Sequence, residues 1–428
     1  MSKLKRELSF LDLVSIGISQ IIGAGIFVVS GIAAGIAGPS VILSFWLAGF
    51  IVLLTALSTA ELSSMITETG SSYAYTKKAF GKFFGFLVGW MRYLDNVVSI
   101  SAVSLGFSAY LLSFFSFLPQ TSLVILSITL IIALTIPNMI GTKITSRISS
   151  ILVLIKLSAL SFLIFVGMFY LLKNFDKNKF VPFFPNGFSS TLTASSLVFF
   201  AFLGFQTIAM ASEEAKNPKR DIPAAIIFSF VICSLIYIGV AIVSVGSVDW
   251  RILGSVSHPL SYVAQKITNN EYASSFVTFG ALVATASVAL TSIYSSARTL
   301  FALSRDNLLP KTFAKVNEKF GTPITSVILS SLLSSLLVLS GSLNFVVSIV
   351  NFGSLFNFIF TNLSLIELKK KIKKRLAFEL PFHPLIPISG VISCFILMLF
   401  LERGAKIAGI AWLLLGVLIY LIREKRIK

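Results

Sequence analysis

This sequence is short of charge. Only 12% of its 428 residues are Asp, Glu, Lys or Arg, about half the share of an ordinary soluble domain, roughly 25%. Cysteine and histidine are scarcer still, with two of each. Cys233 and Cys394 stand within apolar runs and read as small packing residues. No disulfide framework, zinc cluster or thiol nucleophile can be assembled from them. His258 and His383 each precede a proline, a poor setting for a haem ligand or a buried proton relay, so no metal or cofactor is expected. A catalytic constellation such as His-Glu-x-x-His or a deep Ser/His pair is also missing, which argues against a membrane-embedded enzyme. What is abundant is apolar: 56% of residues are hydrophobic and the mean hydropathy is +0.92. Too little polar surface remains to cover a water-soluble globule. A cytosolic enzyme, a secreted disulfide scaffold and a disordered chain are therefore excluded, and the bilayer is the relevant solvent.

A crossing of the hydrocarbon needs about 20 mostly apolar residues. Twelve candidate spans fall near 10–35, 40–63, 83–113, 122–140, 149–172, 190–212, 222–247, 272–304, 324–341, 345–366, 384–402 and 405–423. The runs are continuous and lack the apolar/polar alternation of a barrel, so the expected fold is an all-α polytopic membrane protein. Connections are short, and residues 1–428 read as one integral membrane domain. The first run is followed by Gly38-Pro39 and another span rather than by a small-residue cleavage site.

Charge of one sign is also deficient, with 17 Asp+Glu against 35 Lys+Arg and a net charge of +18. In a soluble protein that imbalance would suggest nucleic-acid binding. With a cytoplasmic N-terminus and twelve crossings, however, 26 of the 35 basic residues fall at cytoplasmic turns and tails and seven at outer ones. Positively charged cytoplasmic loops are what orient a membrane protein. The expectation is a multi-pass cell-membrane protein with both termini cytoplasmic, its basic loops meeting anionic lipid and no nucleic acid. The two remaining basic residues, Arg92 and Lys156, lie inside spans.

Two spans are spoiled as helices. The first contains Gly17 and then Gly23-Ala24-Gly25-Ile26-Phe27, and the sixth places Gly204 and Gln206 near its middle. Backbone groups freed at that depth are tolerated only where protein or a water-lined cavity satisfies them. Interrupted spans at matching positions of two halves point to a midplane transport site. The first and sixth spans are five apart and cross in opposite directions. That fits two inverted five-helix repeats, about 10–172 and 190–366, with two appended helices at about 384–423. Unwinding leaves N–H groups at one half-helix start, where Gly23 and Gly25 admit a carboxylate closely, and carbonyls at the other end, which suit an ammonium. Such a site complements a zwitterionic α-amino acid. The alternative is that the small residues serve only close helix packing.

Four motifs carry a family likeness: Ile21 to Phe27; Glu61-Leu62 with Thr69 to Tyr75; Phe200 to Gln206 with Glu213 to Pro223; and Ser304 to Pro310 with Gly321 to Pro323. In this order and spacing they resemble the amino acid–polyamine–organocation (APC) superfamily of secondary transporters, over most of the first ten spans. The resemblance implies the inverted-repeat fold of leucine-transporter-like proteins. It also implies substrate contact by Ile22, Gly23, Ala24, Gly25 and Ile26 through the carboxylate. The carbonyls of Phe200, Ala201 and Phe202 would face the amine, with Gly204, Phe205 and Gln206 completing the sixth-helix site and Phe200 or Phe205 as an aromatic gate. The loop from Glu213 to Pro218 reads as a structural and conformational element.

Lys156 lies about eight residues into the fifth span, roughly 12 Å deep. Such a depth makes it a candidate proton-coupling group, against a structural or snorkelling lysine. Some APC transporters resemble this chain in carrying a fifth-helix lysine at that position, and by the same alignment Thr291 and Ser292 are candidate hydroxyl partners. Arg92 and Asp95 share a helix face and read as a neutralising intramembrane pair or as pathway lining. Gln206 replaces a glutamate that several acid-resistance exchangers resembling this family use for proton coupling; a neutral amide cannot titrate, which shifts weight to Lys156. The expected function is amino acid transport by alternating access, proton-driven or by exchange. An amine or polyamine exchanger is the alternative, and a transport-inactive sensor a further one. No partner protein is evident.

Overall fold

The computed structural model describes residues 8–66, 71–115, 118–119, 121–140, 146–317, 320–371 and 377–427. Thr69 and Gly70 of the second motif lie outside these residues, as do Lys3, Lys5, Arg6, Lys143, Lys319, Lys373, Lys374, Arg375 and Lys428.

The described residues are predominantly helical, with no named strand among them. The first apolar run is divided into α1 (Phe10–Ile21) and α2 (Ser30–Ala37), and α3 (Val41–Met65) follows. A short helix, α4 (Ser71–Phe80), leads into α5 (Lys82–Phe114), α6 (Ser122–Ile140) and α7 (Ser146–Lys173). The sixth run is divided again, into α8 (Gly187–Val198) and the five-residue α9 (Gln206–Met210). Next come α10 (Pro218–Ser247), two short helices α11 (Trp250–Ser255) and α12 (Pro259–Thr268), and α13 (Glu271–Arg305). The chain ends with α14 (Ile324–Val338), α15 (Leu343–Lys371), α16 (Leu385–Leu399) and α17 (Arg403–Ile427). Nine stretches among the described residues are long and apolar enough to cross a membrane, with Phe10–Met65 counted as one. Ile324–Val338 and Leu385–Leu399 are apolar but shorter. The chain is a polytopic membrane protein.

Helix α5 is buried on nearly all sides and packs against α6, α13, α14 and α15. Its sequence explains this, since Gly85, Gly89, Ser101, Ala102, Ser104, Gly106 and Ser108 let neighbouring helices approach closely. The pairing with α14 is also polar. Ser101 Oγ donates to the Ser334 carbonyl, and Ser334 Oγ donates to the Val97 carbonyl, both at 2.8 Å. In contrast, α6 and α17 expose Ile125, Ile132, Ile136, Leu414 and Leu418. In water such a surface would be costly; against acyl chains it is neutral.

One end of the bundle is tied by ion pairs. Glu61 at the end of α3 is fully buried, 2.6 Å from Lys369 Nζ of α15, and its Oε2 accepts the Leu380 N–H at 3.1 Å. This fixes the segment after α15 onto α3. Lys77 and Tyr73 of α4 both donate to Asp306 Oδ2 at the end of α13, each at 2.5 Å. Partial burial works against that carboxylate, but the two hydrogen bonds outweigh it and hold its pKa below the usual range. At the same end Leu8 pairs with Ala215: the Leu8 N–H donates to the Glu214 carbonyl and the Lys216 N–H to the Leu8 carbonyl, both 3.0 Å. The beginning of the first broken run is thereby joined to the end of the second.

Two of the short connections hold helices of their own. The connection between the seventh and eighth runs contains α11 and α12. Their polar residues mask an inner face of Leu253, Leu260, Val263 and Ala264 that is buried. The turn before α5 likewise contains α4.

Candidate functional site

Helix α1 starts with a capping box. Ser9 Oγ donates to Asp12 Oδ2 at 2.6 Å and accepts the Asp12 N–H at 3.4 Å, while Asp12 Oδ2 accepts the Ser9 N–H at 2.9 Å. It stops at Ile22, whose ψ of 102° is extended. The chain re-enters helix through a π-helical turn, Gly25–Val29. The sixth run ends α8 in a 3₁₀ turn, Phe199–Phe202, followed by extended Leu203 (ψ 155°) and Gly204 at φ +115°. The two breaks are pressed together. A Cβ on Gly204 would stand 2.8 Å from the Gln20 carbonyl, and one on Gly25 would collide with the Ala201 backbone. At these two positions glycine is required by close approach, and at Gly204 also by backbone conformation.

Each break releases carbonyls that need donors. Lys156 of α7, fully buried, donates its ammonium to the Ser19 carbonyl at 2.8 Å and the Ile22 carbonyl at 3.1 Å. A cation at a helix C-terminus is well placed for the dipole, and hydrogen bonds from a charged donor contribute about 1.5–3 kcal/mol each. Tyr237 of α10 places its hydroxyl 3.0 Å from both the Ile21 and the Ala201 carbonyls, bridging the breaks. Asn351 of α15 donates to the carbonyls of Ser196 (2.7 Å) and Leu197 (3.2 Å) at the end of α8. Tyr110 of α5 donates to the Phe27 carbonyl in the π-helical turn. Tyr237, Asn351 and Tyr110 were missed by the sequence reading, which held no signal for them beyond polar atoms in apolar spans.

A cavity of ≈ 60 Å³ opens where the breaks meet. Gly23, Ala24 and Gly25 line it from the first break, Phe200 and Gly204 from the second. Arg92 and Asp95 face it from α5, Ser292 and Ser295 from α13, and Ser354 from α15. The lining residues Gln20, Gly204, Thr207 and Ser295 are half-buried, whereas Ala24, Gly25, Val103 and Phe200 are buried.

Arg92 Nη1 lies 3.7 Å from Asp95 Oδ2, so the pair is formed, and the same nitrogen donates to Gln206 Oε1 at 2.5 Å. Asp95 Oδ2 also accepts from Ser354 Oγ (2.8 Å) and Asn357 Nδ2 (3.2 Å). Its Oδ1 lacks a hydrogen-bond donor and rests in the space that a side chain at Gly353 would fill. Scaffold helices α5 and α15 are thus linked to the second break through one guanidinium. The site carries one cation and one anion at its wall, a balance that suits a zwitterion.

The structure distributes the other expected residues differently. Ile22 offers its carbonyl to Lys156, and its side chain, like that of Ile26, is fully buried. The Ala201 carbonyl is engaged by Tyr237 rather than left for an amine. Phe202 packs into the core against Phe45, Phe230 and Tyr237. Phe205 packs on Phe358, with ring centroids 5.5 Å apart, so Phe200 is the aromatic ring at the cavity. Thr291 and Ser292 do not hydrogen-bond Lys156. The Thr291 hydroxyl donates to the Ser287 and Val288 carbonyls of its own helix, and Ser292 lines the cavity instead. Lys156 does not snorkel, because its ammonium points inward to α1.

Tyr237→Phe is expected to destabilise the protein by about 1–3 kcal/mol, since it leaves buried carbonyls unsatisfied. Thermal unfolding in detergent reads this as a lowered Tm. An unchanged Tm would mean that the hydroxyl does not hold the breaks together.

Residues 12–422 match the amino acid permease family. The chain is 34% identical to the branched-chain amino acid permease BcaP of Bacillus subtilis (strain 168), over 99% of this chain and 94% of that one. It is 32% identical to the methylthioribose transporter of the same organism, with the same coverage. It is 33% identical to the chloroplastic cationic amino acid transporter 9 of Arabidopsis thaliana, over 73% of this chain and 58% of that one. The chain belongs to the amino acid permease family, whose members are membrane transporters rather than enzymes.

Proposed function

We propose that this protein carries amino acids across the cell membrane by alternating access, driven by protons. The observation that carries this reading is the meeting of two helix breaks at one cavity, with the buried Lys156 ammonium on the carbonyls of the first. Free N–H groups at Gly23, Ala24 and Gly25 open the second half of the broken run and would bind the substrate carboxylate. The Phe202 carbonyl, and the Phe200 carbonyl through the lone pair that the Leu203 N–H leaves open, would receive the ammonium, with Asp95 nearby. Phe200 closes the site on the buried side, and Gln206 holds Arg92 toward it. Leucine, isoleucine and valine are the first substrates to test, on the name of the 34%-identical relative.

The twelve runs are read as two inverted five-helix repeats with two appended helices, and both termini are placed in the cytoplasm by the basic loops. The half-buried lining at Gln20, Thr207 and Ser295 then marks an inward path. Lys156 is assigned the coupling role: losing its proton would remove the charge and weaken its two hydrogen bonds to the end of α1, easing movement of that half-helix. A cavity wall with one acid, already paired to Arg92, favours amino acids over polyamines, which would need several free carboxylates.

Uptake of radiolabelled amino acids into reconstituted vesicles tests the reading. Accumulation of at least one neutral amino acid that rises with an inward proton gradient is expected. Absence of uptake for every amino acid, under any imposed pH or substrate gradient, would sink it.

A further inference from the structure

A second concavity, of ≈ 490 Å³, lies apart from the central cavity at the beginning of α10. Its apolar wall includes Phe10 of α1, Ile227, Phe228 and Val231 of α10, and Phe378 from the segment after α15. Lys219 and Arg220, in the first turn of α10, stand at its polar end.

Phe228 is 51% exposed and Val231 44%, and Leu235, one turn further along α10, is 67% exposed. These residues form a continuous apolar stripe along a membrane-crossing helix. Lys219 and Arg220 are exposed, and among the described residues neither side chain makes an ion pair or a hydrogen bond. Asp221, the acid next to them, is half-buried and outside the lining. The two cations share their position with the N-terminal end of a 30-residue helix, whose dipole adds positive potential, although Pro218 carries no N–H and the Arg220 and Asp221 N–H groups already donate to the Asn217 carbonyl. The groove therefore has an anion-binding head and an apolar length, which is the complement of an amphiphile with a phosphate headgroup.

We propose that this groove is a binding site for an anionic phospholipid, with the phosphate at Lys219 and Arg220 and an acyl chain along Phe228 and Val231. Phe10 gives the site a further consequence. Its ring lies 6.0 Å from that of Phe228 and begins α1, the half-helix that the transport reading sets in motion. A bound lipid would brace α1 against α10. This second statement rests on that reading; the binding itself does not.

The test is native mass spectrometry of the purified full chain with phosphatidylglycerol or phosphatidylcholine of identical acyl chains. Wild type is expected to retain phosphatidylglycerol preferentially. Lys219→Gln or Arg220→Gln should lower that retention roughly 5-fold each and the double variant about 30-fold, with phosphatidylcholine unchanged. The charge-conserving pair Lys219→Arg with Arg220→Lys should retain the lipid, as should Lys216→Gln in the same loop but outside the groove. Equal retention by wild type and the double glutamine variant overturns the proposal. So does displacement of the lipid by free glycerol phosphate at equal concentration, because the apolar groove would then contribute nothing. A dimer that dissociates on Phe228→Ser, with no lipid bound to either form, would assign the groove to a second copy of the chain and also overturns it. Transport activity enters none of these readouts, so failure here and failure of the transport reading are separable.

Discussion

Lys156→Met is expected to abolish proton-driven uptake while lowering equilibrium substrate binding by less than about tenfold. Methionine keeps most of the stem volume but removes every donor, so the Ser19 and Ile22 carbonyls lose their partners. Those carbonyls are the end of α1, and the lysine side chain is fully buried against them. Both lie in the buried interior, and an orphaned buried acceptor costs about 1–3 kcal/mol. Lys156→Arg separates the two roles that one ammonium combines. Arginine keeps a permanent cation at the helix terminus but does not release its proton. Its variant should therefore still bind substrate and exchange it across the membrane, yet fail to accumulate it against a gradient. Gradient-driven accumulation by Lys156→Arg at the wild-type level would move the coupling proton elsewhere. Equal loss of binding and uptake in Lys156→Met would leave the lysine a purely structural cap.

The parts of this site that sequence made legible are those that disturb a pattern. Glycines inside an apolar run marked both breaks, and a lysine far from any span end marked itself. What stayed hidden is which neighbour satisfies which group. Tyr237 stands in a mostly apolar helix and Asn351 is one of several polar residues of α15, with Ser348, Ser354, Asn357 and Asn362, and local sequence does not distinguish one facing lipid or a neighbouring helix from one facing a broken helix. Their partners lie 36 and 155 residues away, respectively, at Ala201 and Ser196. Thr291 and Ser292 illustrate the limit more finely. Adjacent helix positions differ by about 100°, so one hydroxyl turns back on its own helix and the next reaches the cavity. Phe200 and Phe205 differ for another reason: extended Leu203 and Gly204 at φ +115° interrupt the helix between them, and no helical periodicity survives that break. The short helices α11 and α12 are not legible in span-length hydropathy, because six and ten residues are averaged away in a window of about 20.

The second large effect is expected at the glycines of the breaks, and three substitutions separate its causes. Gly25→Ala introduces only a collision, with the Ala201 backbone, since the φ of this residue is not positive. Gly204→Ala introduces both a collision, with the Gln20 carbonyl at 2.8 Å, and a left-handed backbone at φ +115° that costs an alanine about 1–3 kcal/mol. Gly81→Ala carries the conformational penalty alone, because its φ is +89° and nothing lies within 4 Å of its added Cβ. If the breaks must touch to form the substrate site, Gly25→Ala and Gly204→Ala should each reduce substrate binding by tenfold or more, with Gly204→Ala the more damaged in Tm. Gly81→Ala should lose stability by a comparable conformational amount and keep substrate affinity. The comparison is read by substrate-induced thermal shift on purified protein, which reports folding and binding in one experiment. A Gly25→Ala variant with wild-type affinity would contradict the requirement for close contact between the two breaks, because backbone atoms of Ala201 have no rotamer by which to move aside. Affinity lost equally in all three variants would trace the effect to general destabilisation instead. The contact between Gly25 and Ala201 is thus where sequence, backbone geometry and the proposed carboxylate site meet, and its removal has the most direct route to function.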